Sequence, residues 1–284
     1  MATLRIIKRR INSIRGTQQI TNAMNMVAAA KLRRAQENII KARPYAYKMI
    51  NVLNDISAIA NRKIHPLLEQ REIKKICFVV VGGDRGLCGG FNNNVFRRAE
   101  NIYKQHRNLD RSIIVVGKKA RDFFRIRKYP MIFEYVNFYR TLKFSDAQQI
   151  VGQIIKLYLE KNLDRVDVVY NEFKSAIRQE VILEQLLPFV PKEEESKTQV
   201  DYLYEPSADK IMDTLLPLHL NVQMWRILLE SNAAEQAARM TAMEAATDNA
   251  QEMIENLTLL YNKTRQYAIT KELSEIVGGA EALK

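Results

Sequence analysis

Glycine and proline are missing from one long stretch of this chain, residues 218 to 277. Their absence excludes tight turns, bulges and hairpins over the whole interval, since those depend on the backbone freedom of Gly or the fixed φ of Pro. What remains is a single helix, about 90 Å long at about 1.5 Å per residue. Helices in globular domains average about a dozen residues, so this one reads as a mechanical element rather than a core helix. Histidine is almost as scarce. His65, His106 and His219 lie far apart with no second ligand at helical spacing, which removes support for a metal site. The two cysteines, Cys77 in an apolar run and Cys88 in a loop, form no disulfide framework and fit a reducing compartment. No apolar run approaches the roughly 20 residues of a membrane span.

A helix of that length needs a partner for its apolar stripe. Spacings of three and four place Ile211, Leu215, Leu218, Val222, Trp225, Leu229, Ala233, Gln236, Met240, Met243, Thr247, Ala250, Ile254, Leu257 and Tyr261 on one seam. A second stripe lies near the other end of the chain: Leu4, Ile7, Ile11 and Ile14, then Met24, Val27 and Leu32. Charge favours an antiparallel pairing of the two. Residues 1–43 hold ten Lys or Arg against the single acid Glu37, whereas residues 207–284 hold seven basic and eleven acidic residues. Setting Arg9 and Arg10 beside Glu252 and Glu255 brings Arg15 near Asp248 and Leu4 opposite about residue 259. The last 25 residues then project past the partner, yet Ile269, Leu273, Ile276, Val277, Ala280 and Leu283 keep an apolar stripe. An uncovered stripe of this kind implies a sleeve supplied by another protein. The first residues are Arg-rich and acid-poor like a transit peptide, but they carry the stripe that the long helix needs, so cleavage there is not expected.

The middle of the chain differs in kind. Residues 76–81, 112–116 and 166–170 read as buried parallel strands, with 131–135 as a weaker one. Helical stretches at 92–106, 118–128 and 146–159 provide crossovers, giving a doubly wound, Rossmann-like α/β domain over 74–205. Residues 191–197 read as a solvated acidic loop and 198–204 as a short extended segment. Pro206 and Ser207 sit where a helix entry and cap belong. The expected organisation is therefore an N-terminal helix over 1–64, the α/β domain over 74–205 and a C-terminal helix over 207–284 that pairs antiparallel with the first.

An α/β domain invites an enzymatic reading. Gly82-Gly83-Asp84-Arg85-Gly86-Leu87-Cys88-Gly89-Gly90 follows the first strand and precedes a helix, where phosphate loops sit. It has neither the Gly-Lys-Ser/Thr ending of a Walker loop nor the G-x-G-x-x-G of a dinucleotide fold. A structural turn, with Asp84 and Arg85 bonded locally, accounts for it better. Net charge of +12 raises nucleic acid as a partner. A basic coiled-coil nucleic-acid-binding protein is accordingly the alternative function. Against it stand the acidic counterparts on the C-terminal helix and the lack of any helix-turn-helix, zinc or RNA-binding signature.

Several motifs carry a resemblance over the whole chain. Ile269-Thr-Lys-Glu-Leu-Ser-Glu-Ile-Val-Gly-Gly-Ala-Glu-Ala-Leu283 resembles the C-terminal signature of the gamma subunit of F-type ATP synthases. Thr17-Gln-Gln-Ile-Thr-Asn-Ala-Met24 with Met26-Val-Ala-Ala-Ala-Lys31 is similar to that family's N-terminal helix. Asp84-Arg-Gly-Leu-Cys-Gly-Gly90 is similar to its α/β loop, and Ala237-Ala-Arg-Met-Thr-Ala-Met-Glu-Ala-Ala-Thr-Asp-Asn249 to its long helix.

The resemblance implies the central rotor shaft of a proton-translocating enzyme complex, non-catalytic by itself and without a cofactor, present once per complex. Its implied partners are a ring of three alpha and three beta subunits, the epsilon subunit and the membrane c-ring. The implied location is the cytoplasmic face of a bacterial inner membrane, with no span and no nucleic acid. By motif, Arg265, Gln266, Thr270 and Glu272 match contacts to beta, as do Met24 and Arg239. Ile269, Leu273, Ile276, Val277, Ala280 and Leu283 become the apolar bearing tip, and Tyr202, Tyr204 and Glu205 the foot on the c-ring. Tyr267 and Asn25 stand where a small residue and a glutamate are usual. The redox-regulatory cysteine insertion of chloroplast relatives is absent.

Overall fold

A computed structural model describes residues 4–59, 65–137, 139, 141–190 and 208–281. The elements run α1 (Leu4–Ile59), β1 (Lys75–Val81), α2 (Phe91–Gln105), β2 (Asp110–Val116), α3 (Lys118–Ile126), β3 (Met131–Tyr135), α4 (Phe144–Leu159), β4 (Arg165–Phe173), β5 (Gln179–Leu187) and α5 (Ala208–Glu281). Both terminal helices run without interruption, through Pro44 in α1 and through Pro217, Gly278 and Gly279 in α5. The chain divides into two compact units, one of Met1–Ala28 with Met240–Lys284 and one of Ala29–Arg239. The acidic loop at 191–197, the extended segment at 198–204 and the cap residues Pro206 and Ser207 lie outside the described residues.

The larger unit is built on a five-stranded sheet in the order β3-β2-β1-β4-β5. β1 lies between β2 and β4, parallel to both, and β2 pairs in parallel with β3. Such strands are apolar at every position because helices cover both faces. Alternation along β1 shows this directly: Ile76, Phe78 and Val80 pack under α2 and α3 with Val95, Phe96, Ala99 and Phe124. Cys77, Val79 and Val81 face the other way, toward Ile150, Ile154 and Tyr158 of α4 and Leu216, Leu220 and Met224 of α5. Met49 and Leu53 of α1 join that second layer. This is the doubly wound arrangement expected, with the last helix of the chain serving as one of its covering helices.

One strand was not expected. β5 is antiparallel to β4 and forms the edge of the sheet. Its residues are mostly half-buried and interleaved with Glu180 and Glu184, so it lacks the continuous apolar signature of its neighbours. Where β2 ends, Gly117 adopts φ +97, and a Cβ there would lie 2.2 Å from the Gly82 carbonyl oxygen. Only glycine fits that approach.

In the smaller unit the two helices pack antiparallel. Ile7 and Ile11 of α1 cluster with Ile254 of α5, flanked by Ile14, Leu257 and Tyr261. Further along, Gln18 Nε2 donates to Gln251 Oε1 at 2.9 Å, and the hydroxyls of Thr21 and Thr247 lie 2.8 Å apart. These pairs slide the register by more than a turn from the charge-based alignment. Among the described residues no ion pair joins Arg9, Arg10 or Arg15 to α5; Glu255 instead accepts from Gln251 Nε2 at 2.7 Å. The apolar and hydroxyl seam sets the alignment because exposed ion pairs contribute only about 0–1 kcal/mol each. For the same reason the stripe on α1 passes through Thr21 and Ala28, both buried, while Val27 is 55% exposed. Replacing Thr21 and Thr247 by Val, singly and together, is expected to give a coupling energy of about 1 kcal/mol in chemical unfolding. The Arg9 and Glu255 charge swap is expected to give none; coupling at that pair alone would contradict the register.

His219 of α5 is buried, with its ring 4.9 Å from that of Phe189. Burial, reinforced by the charge of Arg226, lowers its pKa to about 4. The neutral form is therefore the one the fold accepts, and stability is complete above about pH 6.5, the unfolded value. As pH falls through the window from 6.5 to about 4 the unfolded chain binds the extra proton, costing up to about 3 kcal/mol. His219→Phe is expected to lose less stability than the parent chain over that window in unfolding at stepped pH. An equal loss would show that the ring does not titrate as described.

Candidate functional site

The glycine-rich loop after β1 binds α5. Gly83 N donates to Asn92 Oδ1 at 2.9 Å, and Asn92 Nδ2 donates to the Arg85 carbonyl at 3.2 Å, which folds the loop back on the start of α2. The sequence suggests a local bond for Asp84, but the structure has it reach further along the chain. Its Oδ1 accepts the backbone N–H groups of Lys118 at 2.9 Å and Asn137 at 3.1 Å, tying together the ends of three strands. Cys88 and Phe91 pack against Ala234 and Ala238, small residues that bring the α5 backbone close.

Two buried charges close the junction. Arg239 Nη2 donates to Glu235 Oε1 at 2.5 Å and to the Gly86 carbonyl at 3.3 Å, while Nη1 donates to Gln236 Oε1 at 3.1 Å. A Cβ on Gly83 would stand 2.8 Å from Glu235 Oε2, so the loop and the carboxylate need a glycine between them. Burial raises the pKa of Glu235, opposed by Arg239 and assisted by the nearby charge of Asp84. The Glu235 carboxylate beside Gly83 and the Arg239 guanidinium on the Gly86 carbonyl tie this loop to α5. The Cys88 thiol is likewise pushed up by burial and by Glu235, away from the reactive thiolate.

The residues that the sequence singles out are distributed unevenly. Arg265, Gln266, Thr270 and Glu272 are all exposed near the end of α5, with the Thr270 hydroxyl donating to the Gln266 carbonyl at 2.9 Å. Ile269, Leu273, Ile276 and Val277 share that stretch at 49%, 58%, 68% and 61% exposure, and Ala280 is exposed too. Met24 is half-buried on α1. Arg239 is only 8% exposed, held by the loop and by Glu235. Tyr202, Tyr204, Glu205 and Leu283 lie outside the described residues. Sequence reasoning passed over Glu235, Glu230 and Arg226. Their signal is the run of charges at 226, 230, 235 and 239 on a face otherwise made of Ala, Leu and Ile.

A family model described as ATP synthase matches residues 3–283. The chain is 46% identical over 301 residues to the ATP synthase gamma chain of Chloroherpeton thalassium, covering 100% of this chain and 99% of that one. It is 47% identical over 285 residues to that of Desulforamulus reducens, covering all of both. Among solved structures, the central stalk and c-ring of Tetrahymena thermophila mitochondrial ATP synthase contains a chain that matches with a TM-score of 0.62 at 26% identity, covering 80% of this chain and 99% of that one. A chain of the Euglena gracilis mitochondrial complex matches in fold, with a TM-score of 0.69 at 21% identity, over 99% of this chain and 94% of that one. The chain belongs to the family of ATP synthase gamma chains, the central-stalk rotor subunits of F-type ATP synthases, which are non-catalytic by themselves.

Removing one member of the buried pair strands the other charge. Glu235→Ala is expected to destabilise the chain by about 3 kcal/mol or more in urea unfolding, and Glu235→Gln by less. Equal, negligible losses would show that Arg239 finds its charge balance elsewhere.

Proposed function

We propose that the exposed end of α5 is a bearing inside a ring of three alpha and three beta subunits, and that the α/β unit with residues 202–205 meets the membrane c-ring and the epsilon subunit. The observation that carries this reading is the chemistry of the last helical turns. Ile269, Leu273, Ile276 and Val277 are large, apolar and about half or more exposed, although they keep the spacing of a buried stripe. A sleeve of other subunits satisfies that stripe. Arg265, Gln266, Thr270 and Glu272 then form polar contacts with beta at the edge of the bearing, Met24 and Arg239 lie near its moving segments, and Ala280 and Leu283 complete the tip. Tyr202, Tyr204 and Glu205 serve as the foot on the c-ring.

One copy turns with the c-ring, driven by protons, and changes which surface each beta subunit meets; in reverse, ATP hydrolysis drives pumping. Differential contact of this kind is the only means by which a rotor angle can favour different conformations at three sites. The helices described are not long and apolar enough to cross a membrane. With bacterial relatives, that supports a peripheral position on the cytoplasmic face of a bacterial inner membrane.

Added to a complex assembled without its central subunit, the chain is expected to restore ATP-driven proton pumping while hydrolysing no ATP alone. Arg265→Ala with Gln266→Ala is expected to lower coupled turnover several-fold with the unfolding midpoint unchanged, since both side chains are exposed. Full activity of that double variant would remove the polar contacts from the reading.

A further inference from the structure

The part of α5 that covers the sheet is mostly apolar: Met212, Leu216, Leu220, Met224, Ile227 and Leu228. Apolar contact is non-directional, and helix ridges can settle in neighbouring grooves. It does not by itself fix how the helix is turned about its axis. Three polar ties interrupt this face, the first half-buried and the other two built on the buried carboxylates of Glu230 and Glu235. At the first, Glu184 on edge strand β5 accepts Arg226 Nη2 at 2.7 and 2.8 Å on its two oxygens. Gln223 Nε2 donates to the same carboxylate at 2.9 Å, and so does the Tyr170 hydroxyl of β4 at 2.7 Å.

At the second, Glu230 is 1% exposed and shares its oxygens between two elements. One accepts the Phe173 backbone N–H at the end of β4 at 3.2 Å, the other Arg43 Nη2 of α1 at 3.0 Å. The third is the clamp of Glu235 and Arg239 on the β1–α2 loop. Buried ion pairs add little net stability over apolar groups of equal volume; the use best attested for them is fixing register. All three ties break together when α5 rotates by one residue, about 100°, or slides by one turn, about 5.4 Å.

We propose that these ties form a torque joint that locks α5 at one rotation angle on the sheet, with Glu184, Arg226 and Glu230 as positioning residues for rotary coupling. The inference rests on the reading above, in which the α/β unit is the driven end and the tip of α5 the driving one. Torque carried along α5 crosses this joint. The apolar layer resists separation of helix and sheet, and the polar ties resist slip.

The test uses the assembled, membrane-reconstituted complex and reads protons pumped per ATP hydrolysed. In the triple variant Glu184→Gln/Arg226→Met/Glu230→Met the apolar layer and the Glu235–Arg239 clamp stay, and the charged bonds of the first two ties go. The ratio is expected to fall several-fold while ATP hydrolysis continues. Leu220→Ala, which weakens the apolar layer and leaves the ties intact, is expected to lower the unfolding midpoint and keep the ratio. If the triple variant does not assemble, the pair Glu184→Gln/Arg226→Met is read in the same way. An unchanged ratio in the tie variants, or an equal fall in Leu220→Ala, would overturn the joint. Failure of the unaltered chain to restore pumping at all would sink the underlying placement and the joint with it.

Discussion

Everything in this chain depends on how one uninterrupted helix covers its apolar stripe. α5 has three successive solutions along its length. Its first part lies on the sheet, where Leu216, Leu220 and Met224 substitute for a crossover helix. Its middle part, within the smaller unit, packs against the N-terminal helix through Ile254 and Leu257. Its last part, from about residue 265, has no cover within the described chain. A helix gains most of its stability from what it packs on, so the third part is stable only as the continuation of the first two. That dependence makes an exposed apolar end tolerable in a folded chain.

The helix itself and the three parallel strands were legible because their signals are long and one-sided: no Gly or Pro over many turns, and unbroken runs of Val, Ile and Phe. The seam on α5 was legible in its later part, where Leu229, Ala233, Met243, Ala250 and Ile254 are buried, but before it the buried face runs through Met212, Leu216, Leu220 and Met224 while the expected Ile211, Leu215, Leu218 and Trp225 are half-buried. The seam on α1 was not. Between Ile14 and Ala28 it is carried by Gln18 and Thr21, whose polarity hides the period, and the apolar Val27 drew the stripe to the wrong side. The antiparallel edge strand was missed because it is only half-buried and its Glu180 and Glu184 break the apolar run.

The glycine-rich loop shows a different limit. Its place after the first strand is where α/β enzymes bind phosphate, and position alone could not say what occupies it. The occupant is the chain's own helix. Glu235 takes the space beside Gly83, and Arg239 caps the Gly86 carbonyl. A fold that elsewhere offers its strand ends to a small molecule here spends them on holding a long helix, which is consistent with a subunit whose work is mechanical.

Mechanical coupling also explains why charge lies where stability alone would not place it. Replacing the Glu184 and Arg226 pair by apolar residues of similar volume would cost a folded domain little. A rotor that transmits torque has a second requirement, resistance to twist between parts, which apolar packing meets poorly because neighbouring grooves are nearly equivalent. Directional bonds meet it well, since their energy falls steeply once distance and angle depart from the optimum. The polar ties on the first part of α5 hold it to the sheet within the larger unit, and the hydroxyl pair of Thr21 with Thr247 fixes the pairing of the two helices within the smaller one.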